Sequence, residues 1–182
     1  MKHIWKDTLT WGLIAAGAVA LALVAPKGVS VLGQMPSVSA TDLNKKPLEI
    51  PEGLRAERTL VLLSFQRGQS QDVDSWIKGL GLHGDSSISW VRMAIINDPG
   101  DQGRSVAESR LLARYTAAQD RARLVPVFTN RDAFIKSTGL DGIEQMAAVV
   151  VNRQGEVLAR AQGPLDADKK ALILDTLHGQ AF

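Results

Sequence analysis

The densest cluster of chemically capable side chains is Gln66-Arg67-Gly68-Gln69-Ser70-Gln71-Asp72. It follows an apolar run at residues 59–65 and precedes Val73, Trp76, Ile77 and Leu80, which recur at helical spacing. Open α/β sheets bind ligands outside the carboxyl ends of their strands, so a loop between a strand and a helix is where chemistry is placed. Arg67 would bind an anion there, helped by the N-terminus of the following helix. Gln66, Gln69, Gln71 and Trp76 complete this candidate binding set. The competing expectation is a capped loop whose amides satisfy backbone groups, with Asp72 as helix N-cap and Trp76 in the core.

A second candidate is basic. On one continuous helix Arg110, Arg114 and Arg121 fall at angles of roughly 0, 40 and 20 degrees, forming a single edge. Residues 104–136 hold seven basic side chains against Glu108, Asp120 and Asp132. Such an edge would dock acidic lipid headgroups or an acidic partner, or it is a solvated face with scattered ion pairs.

Other chemistry is excluded or unsupported. The chain has no cysteine, which rules out disulfides, thiolate metal sites, thiol nucleophiles and dithiol redox cycling. His3, His83 and His178 lack metal-ligand spacing. Gly79-Leu80-Gly81-Leu82-His83-Gly84 matches G-x-G-x-x-G but closes a helix and precedes a strand, the reverse of the dinucleotide context, and reads as a turn. No G-x-S-x-G elbow or phosphate-cradling loop occurs. We therefore expect no catalytic residue, no metal and no cofactor.

These candidates need a scaffold. At 182 residues, 45% hydrophobic and 22% charged, the chain is long enough for one domain plus an appendage and is not disordered. Its formal charge of +2 belongs to the first 40 residues, where Lys2, Lys6 and Lys27 face only Asp7; the rest balances 18 basic against 18 acidic groups. A neutral body gives no general argument for nucleic acid, and none is expected as a partner.

The leader reads as a membrane segment. Residues 8–25 carry no charge, and as a helix they span roughly 27 Å, just short of the roughly 30 Å hydrocarbon core. No small-x-small cleavage site follows at the right distance, which favours an uncleaved signal sequence, residues 1–25, that stays as the anchor. Lys2 and Lys6 keep the N-terminus cytoplasmic, so the expected location is a single-pass inner-membrane protein with its C-terminal domain in the periplasm or an equivalent extracytoplasmic space. Residues 26–37 read as a linker and 38–182 as the domain.

Within the domain, residues 42–50 suggest a hairpin, and 59–65, 88–97 and 124–128 suggest strands. A helix is expected from Ser105, because Ser105-Val106-Ala107-Glu108 fits a capping box, with Ala107, Leu111, Tyr115, Ala118 and Ala122 on its apolar face. Residues 130–138 read as a helix stopped by Gly139, and 147–151 with 156–161 as a hairpin needing positive φ at Gly155. A last helix covers 166–177. The alternation implies a mostly parallel sheet with helices on both faces and a late antiparallel hairpin.

This pattern resembles the thioredoxin-like superfamily, particularly the membrane-tethered extracytoplasmic branch related to TlpA and the peroxiredoxins. Asp42-Leu43-Asn44-Lys45-Lys46-Pro47-Leu48 is similar to that branch's opening hairpin, and residues 60–65 to the strand before its redox loop. Val149-Val150-Val151-Asn152-Arg153-Gln154-Gly155-Glu156-Val157 is similar to its late hairpin with a D-x-x-G turn. The resemblance implies a thioredoxin-like three-layer α/β sandwich with a mixed sheet, here behind an N-terminal transmembrane helix. Its dithiol would fall within residues 66–71, where there is no Cys, and its cis-proline near Ile143-Glu144-Gln145, where there is no Pro.

A further likeness is to the cysteine-poor mitochondrial factors that assist ATP synthase assembly. It is carried by Asp74-Ser75-Trp76, Val151-Asn152-Arg153-Gln154-Gly155, and Gly163 followed by Asp166 and Asp168. The expected function is thus a membrane-anchored, non-redox protein that works through a protein partner, as an assembly factor or chaperone. The alternatives are an oxidoreductase or peroxidase relative with a non-cysteine mechanism, and a small-anion-binding domain.

Overall fold

The computed structural model describes residues 30–179. Residues 1–29, which include the expected anchor, the first part of the expected linker and His3, lie outside the described residues. Among the described residues, no helix is long and apolar enough to cross a membrane.

Two apolar runs build the centre. β4 (Arg58–Ser64) and β7 (Ala147–Asn152) are buried along almost their whole length, as strands covered on both faces must be. They pair antiparallel, and β4 pairs in parallel with β5 (Trp90–Asn97), which pairs in parallel with β6 (Leu124–Thr129). β8 (Glu156–Gln162) follows β7 through a turn closed by Gly155 at φ 80°. With β1 (Gly33–Gln34) at one edge, the six-stranded order is β1-β8-β7-β4-β5-β6, and β2 (Val38–Thr41) and β3 (Pro47–Ile50) form a separate hairpin.

Alternation along the strands divides the core. Val61, Leu63, Met93 and Val149 face Phe134 and Ile135 of one helix and Ile50 and Leu54 near the hairpin. Leu60, Leu62, Ala148 and Val150 face Val73, Trp76 and Ile77 of α1 (Ser70–Gly79) and Ile173 of the last helix. Helices thus cover both faces of a mixed sheet, as expected.

Four local expectations are corrected. β1 (Gly33–Gln34) pairs with β8, and Met35 is 1% exposed, so the stretch read as linker supplies an edge strand and a core residue. In the first hairpin Asp42 belongs to the turn, where its Oδ1 accepts the N–H groups of Asn44 and Lys46 at 2.8 and 2.9 Å, and the strand lies before it. α2 (Gly100–Arg114) begins five residues before Ser105: Asp98 accepts the Gly100 N–H at 3.1 Å, and Glu108 pairs with Lys45 rather than closing a capping box. α1 begins at Ser70, which puts Asp72 inside its first turn and not at the cap.

The later helices match the sequence closely. α4 (Arg131–Thr138) is capped by Asn130, whose side chain accepts the Ala133 N–H at 2.9 Å, and stops at Gly139, φ 72°. α5 (Ala167–Leu177) is capped by Asp166, which accepts the Lys169 N–H at 2.8 Å and pairs with its ammonium at 3.0 Å. Those bonds, the backbone one first, hold the Asp166 carboxyl below its ordinary 3.8. A depressed folded-state value means the cap stabilises fully well above pH 3.8 and is lost as pH falls through that lower value. Amide-exchange protection at Lys169 should therefore be flat from neutrality to about pH 5 and drop steeply in acid, and Asp166→Ala should abolish that step.

Candidate functional site

The loop after β4 is where the sequence placed it, at the carboxyl end of the central parallel strand. Phe65 is buried, and the chain turns through a 3₁₀ segment, Arg67–Gln69, directly into α1. Gln66 and Arg67 are exposed, Gln71 is exposed on α1, and Gln69 points inward at 6% exposure.

Gln69 does three jobs. Its Oε1 accepts the N–H groups of Phe65 at 2.7 Å and Gln66 at 3.2 Å, and its Nε2 donates to the Ile143 carbonyl at 2.6 Å. The amide thereby ties the loop after β4 to the segment before β7. Every strong valence of the side chain but one is spent on backbone, which is the capped-loop expectation rather than a free binding group.

Trp76 is also internal. It is 0% exposed, and its indole N–H donates to the Gly163 carbonyl at 2.9 Å. Of the set proposed around the loop, Gln66, Arg67 and Gln71 remain at the surface, and among the described residues Arg67 forms no ion pair.

Sequence reasoning missed Arg131. Its backbone N–H donates to Asn97 Oδ1 at 3.0 Å, and its guanidinium reaches the Phe65 carbonyl at 3.5 Å. It bridges the carboxyl ends of β4, β5 and β6, and its buried Nε has no partner. The only available signal was its position just after the Asn130 cap.

The basic edge does not form a single stripe. α2 ends at Arg114, Tyr115 is extended at φ −105°, ψ 92°, and Arg121 belongs to a separate helix, α3 (Ala118–Ala122). At this break Arg92, a buried residue on β5, donates to the Tyr115 hydroxyl at 3.0 Å and stacks 4.7 Å from its ring while pairing with Asp74 at 3.1 Å. Arg110 and Arg114 are exposed, whereas Arg121 is half-buried and donates to the Thr116 carbonyl.

A cleft of about 1190 Å³ lies at the other pole, at the N-terminal ends of β4, β5 and β6. Leu48, Leu54, Arg55, Thr59, Trp90 and Arg123 are among its lining. The Arg123 guanidinium lies 4.6 Å from the Trp90 ring and donates to the Trp90 carbonyl at 3.0 Å, and His83 meets the same ring edge-on at 5.6 Å. No residue of the loop after β4 borders it. Nothing in the sequence marked this cleft, because its walls come from four separated segments.

No family model matches the chain, and no curated protein matches it in sequence. Solved structures do. The chain is similar to a proposed electron transfer protein of Aquifex aeolicus, with a TM-score of 0.57 and 13% identity over 82% of this chain and 97% of that one. It is similar to BsSco, of the Sco family of cytochrome c oxidase assembly proteins, with a TM-score of 0.54 and 15% identity over 81% and 92%. It is also similar to the exposed lipoprotein thioredoxin of Streptococcus pneumoniae, with a TM-score of 0.53 and 12% identity over 79% and 99%. The fold is thioredoxin-like. A disulfide switch was identified in BsSco; this thioredoxin-like chain has no cysteine with which to form one. What stands at the loop is Gln69, an amide that cannot be oxidised or attack a disulfide.

Proposed function

We propose that the chain is a membrane-anchored, extracytoplasmic thioredoxin-fold protein without dithiol chemistry, acting by protein binding in the assembly of a membrane complex. The observation that carries the non-redox part is the Gln69 clamp, which fills the loop after β4 with backbone hydrogen bonds. The anchoring part is supported by the uncharged run of residues 8–25 behind Lys2 and Lys6. The assembly part is supported by fold similarity to a member of the Sco family of assembly proteins.

Purified full-length protein in detergent should show no sustained disulfide reduction or peroxide turnover, and steady turnover would overturn the non-redox reading. Deletion of the coding region should lower the level of at least one assembled membrane complex on native gels, restored by the full chain and not by a chain lacking residues 1–25. Unchanged complexes in the deletion strain would end the assembly reading.

A further inference from the structure

By Leu32 the chain is already fastened to the sheet. The Leu32 N–H donates to the Val157 carbonyl at 2.8 Å, Gly33 and Gln34 pair with Val157 and Glu156, and the Met35 N–H donates to the Gly155 carbonyl at 2.7 Å. The strap is held from its other side by α4. Ser137 Oγ donates to the Gln34 carbonyl at 2.6 Å, and a Cβ on Gly33 would lie 2.5 Å from the Thr138 carbonyl, so that approach requires glycine.

On this fixed edge two large apolar side chains face outward. Val31 is 52% and Leu32 38% exposed, and the remaining exposed large apolar side chain among the described residues is Val106 of α2, at 45%. One cation adjoins the pair: Arg160 Nη1 donates to the Leu32 carbonyl at 3.3 Å.

Chain length limits where this edge can be. The apolar run ends at Ala25, and six extended steps to Val31 reach at most about 20 Å. The headgroup layer on one side of a bilayer is roughly 5–8 Å deep. An exposed Val-Leu step with a basic neighbour, tethered that closely, matches an interface that takes up apolar side chains and attracts cations.

We propose that the Val31–Leu32 edge rests on the anionic lipid headgroup surface. The inference rests on the anchoring of residues 1–25 proposed above.

The absence of cysteine makes the test direct, because one introduced thiol is the only one. Full-length Ala16→Cys, Leu32→Cys and Val106→Cys proteins carry a nitroxide in vesicles of phosphatidylcholine and phosphatidylglycerol. Collision with oxygen and with a water-soluble nickel chelate is then measured. The label at 16 should be in lipid, the label at 106 in water, and the label at 32 about threefold less accessible to the chelate than that at 106. In vesicles of phosphatidylcholine alone, chelate access at 32 should rise, and unchanged access would overturn the anionic part of the inference. Equal chelate access at 32 and 106 with a lipid-buried 16 would overturn the inference and leave anchoring intact. A water-exposed label at 16 would overturn both.

Discussion

Replacing Gln69 by alanine is expected to lower the unfolding free energy by about 3 kcal/mol, because buried backbone groups left without partners cost about 1–3 kcal/mol each. Three groups lose their partner: the N–H of Phe65, the N–H of Gln66 and the carbonyl of Ile143. The Phe65 bond is short and buried and the Ile143 bond short and half-buried, while Gln66 is exposed and recovers water, so the loss stays below a full sum. For a domain of this size the melting temperature should fall by about 6–12 °C. Gln69→Glu separates the two ends of the amide. A carboxylate still accepts from both N–H groups, yet at neutral pH it meets the Ile143 carbonyl with no proton to share. Its loss should therefore be comparable at pH 7 and smaller near pH 4, where a protonated carboxyl can donate. Urea titration followed by far-ultraviolet circular dichroism checks both variants. A change under about 1 kcal/mol for Gln69→Ala would show that the clamp holds nothing and that the loop is free to serve a ligand.

The clamp also shows why the sequence revealed the loop and not its role. Residues 59–65, with Leu60 to Leu63 at their centre, and 147–151, apolar throughout, announce themselves as buried strands, and Asn130 and Gly139 bracket α4 through contacts within four residues. Local chemistry of that kind is readable. Gln69 acts on Ile143, 74 residues away, and no spacing rule links the two.

Misreadings have the same origin. Ser105-x-x-Glu108 satisfies a capping pattern, but Asp98 caps the chain upstream and Lys45 claims the glutamate from another element. The arginine stripe assumed one helix through Tyr115, yet the helix ends before that tyrosine, which Arg92 on β5 engages through its hydroxyl and ring. In each case a tertiary partner overrode a local preference. The fold could be inferred although the chemistry could not, since a pattern of buried strands specifies a scaffold and not the site built on it.

Trp76 carries the other large effect. Trp76→Ala is expected to cost about 4 kcal/mol, in the range for truncating a fully buried aromatic, and Trp76→Phe about 1–2 kcal/mol, from the smaller volume and the lost hydrogen bond. The side chain fills the space between α1 and the sheet, with Leu60, Leu62, Ala148 and Ile173 in the same cluster. Its indole N–H reaches the Gly163 carbonyl, and the Gly163 N–H in turn donates to Met146 at 2.9 Å. The tryptophan therefore ties α1 to the turn after β8, which stands next to the segment that Gln69 grips from the other side. Truncation should lower stability and also raise amide exchange at Gly163 and along α1, ahead of global unfolding. A surface hot spot would behave oppositely, with full stability and lost partner binding. At 0% exposure the indole is inaccessible to a partner, so a stable Trp76→Ala protein would contradict the packing of α1 itself.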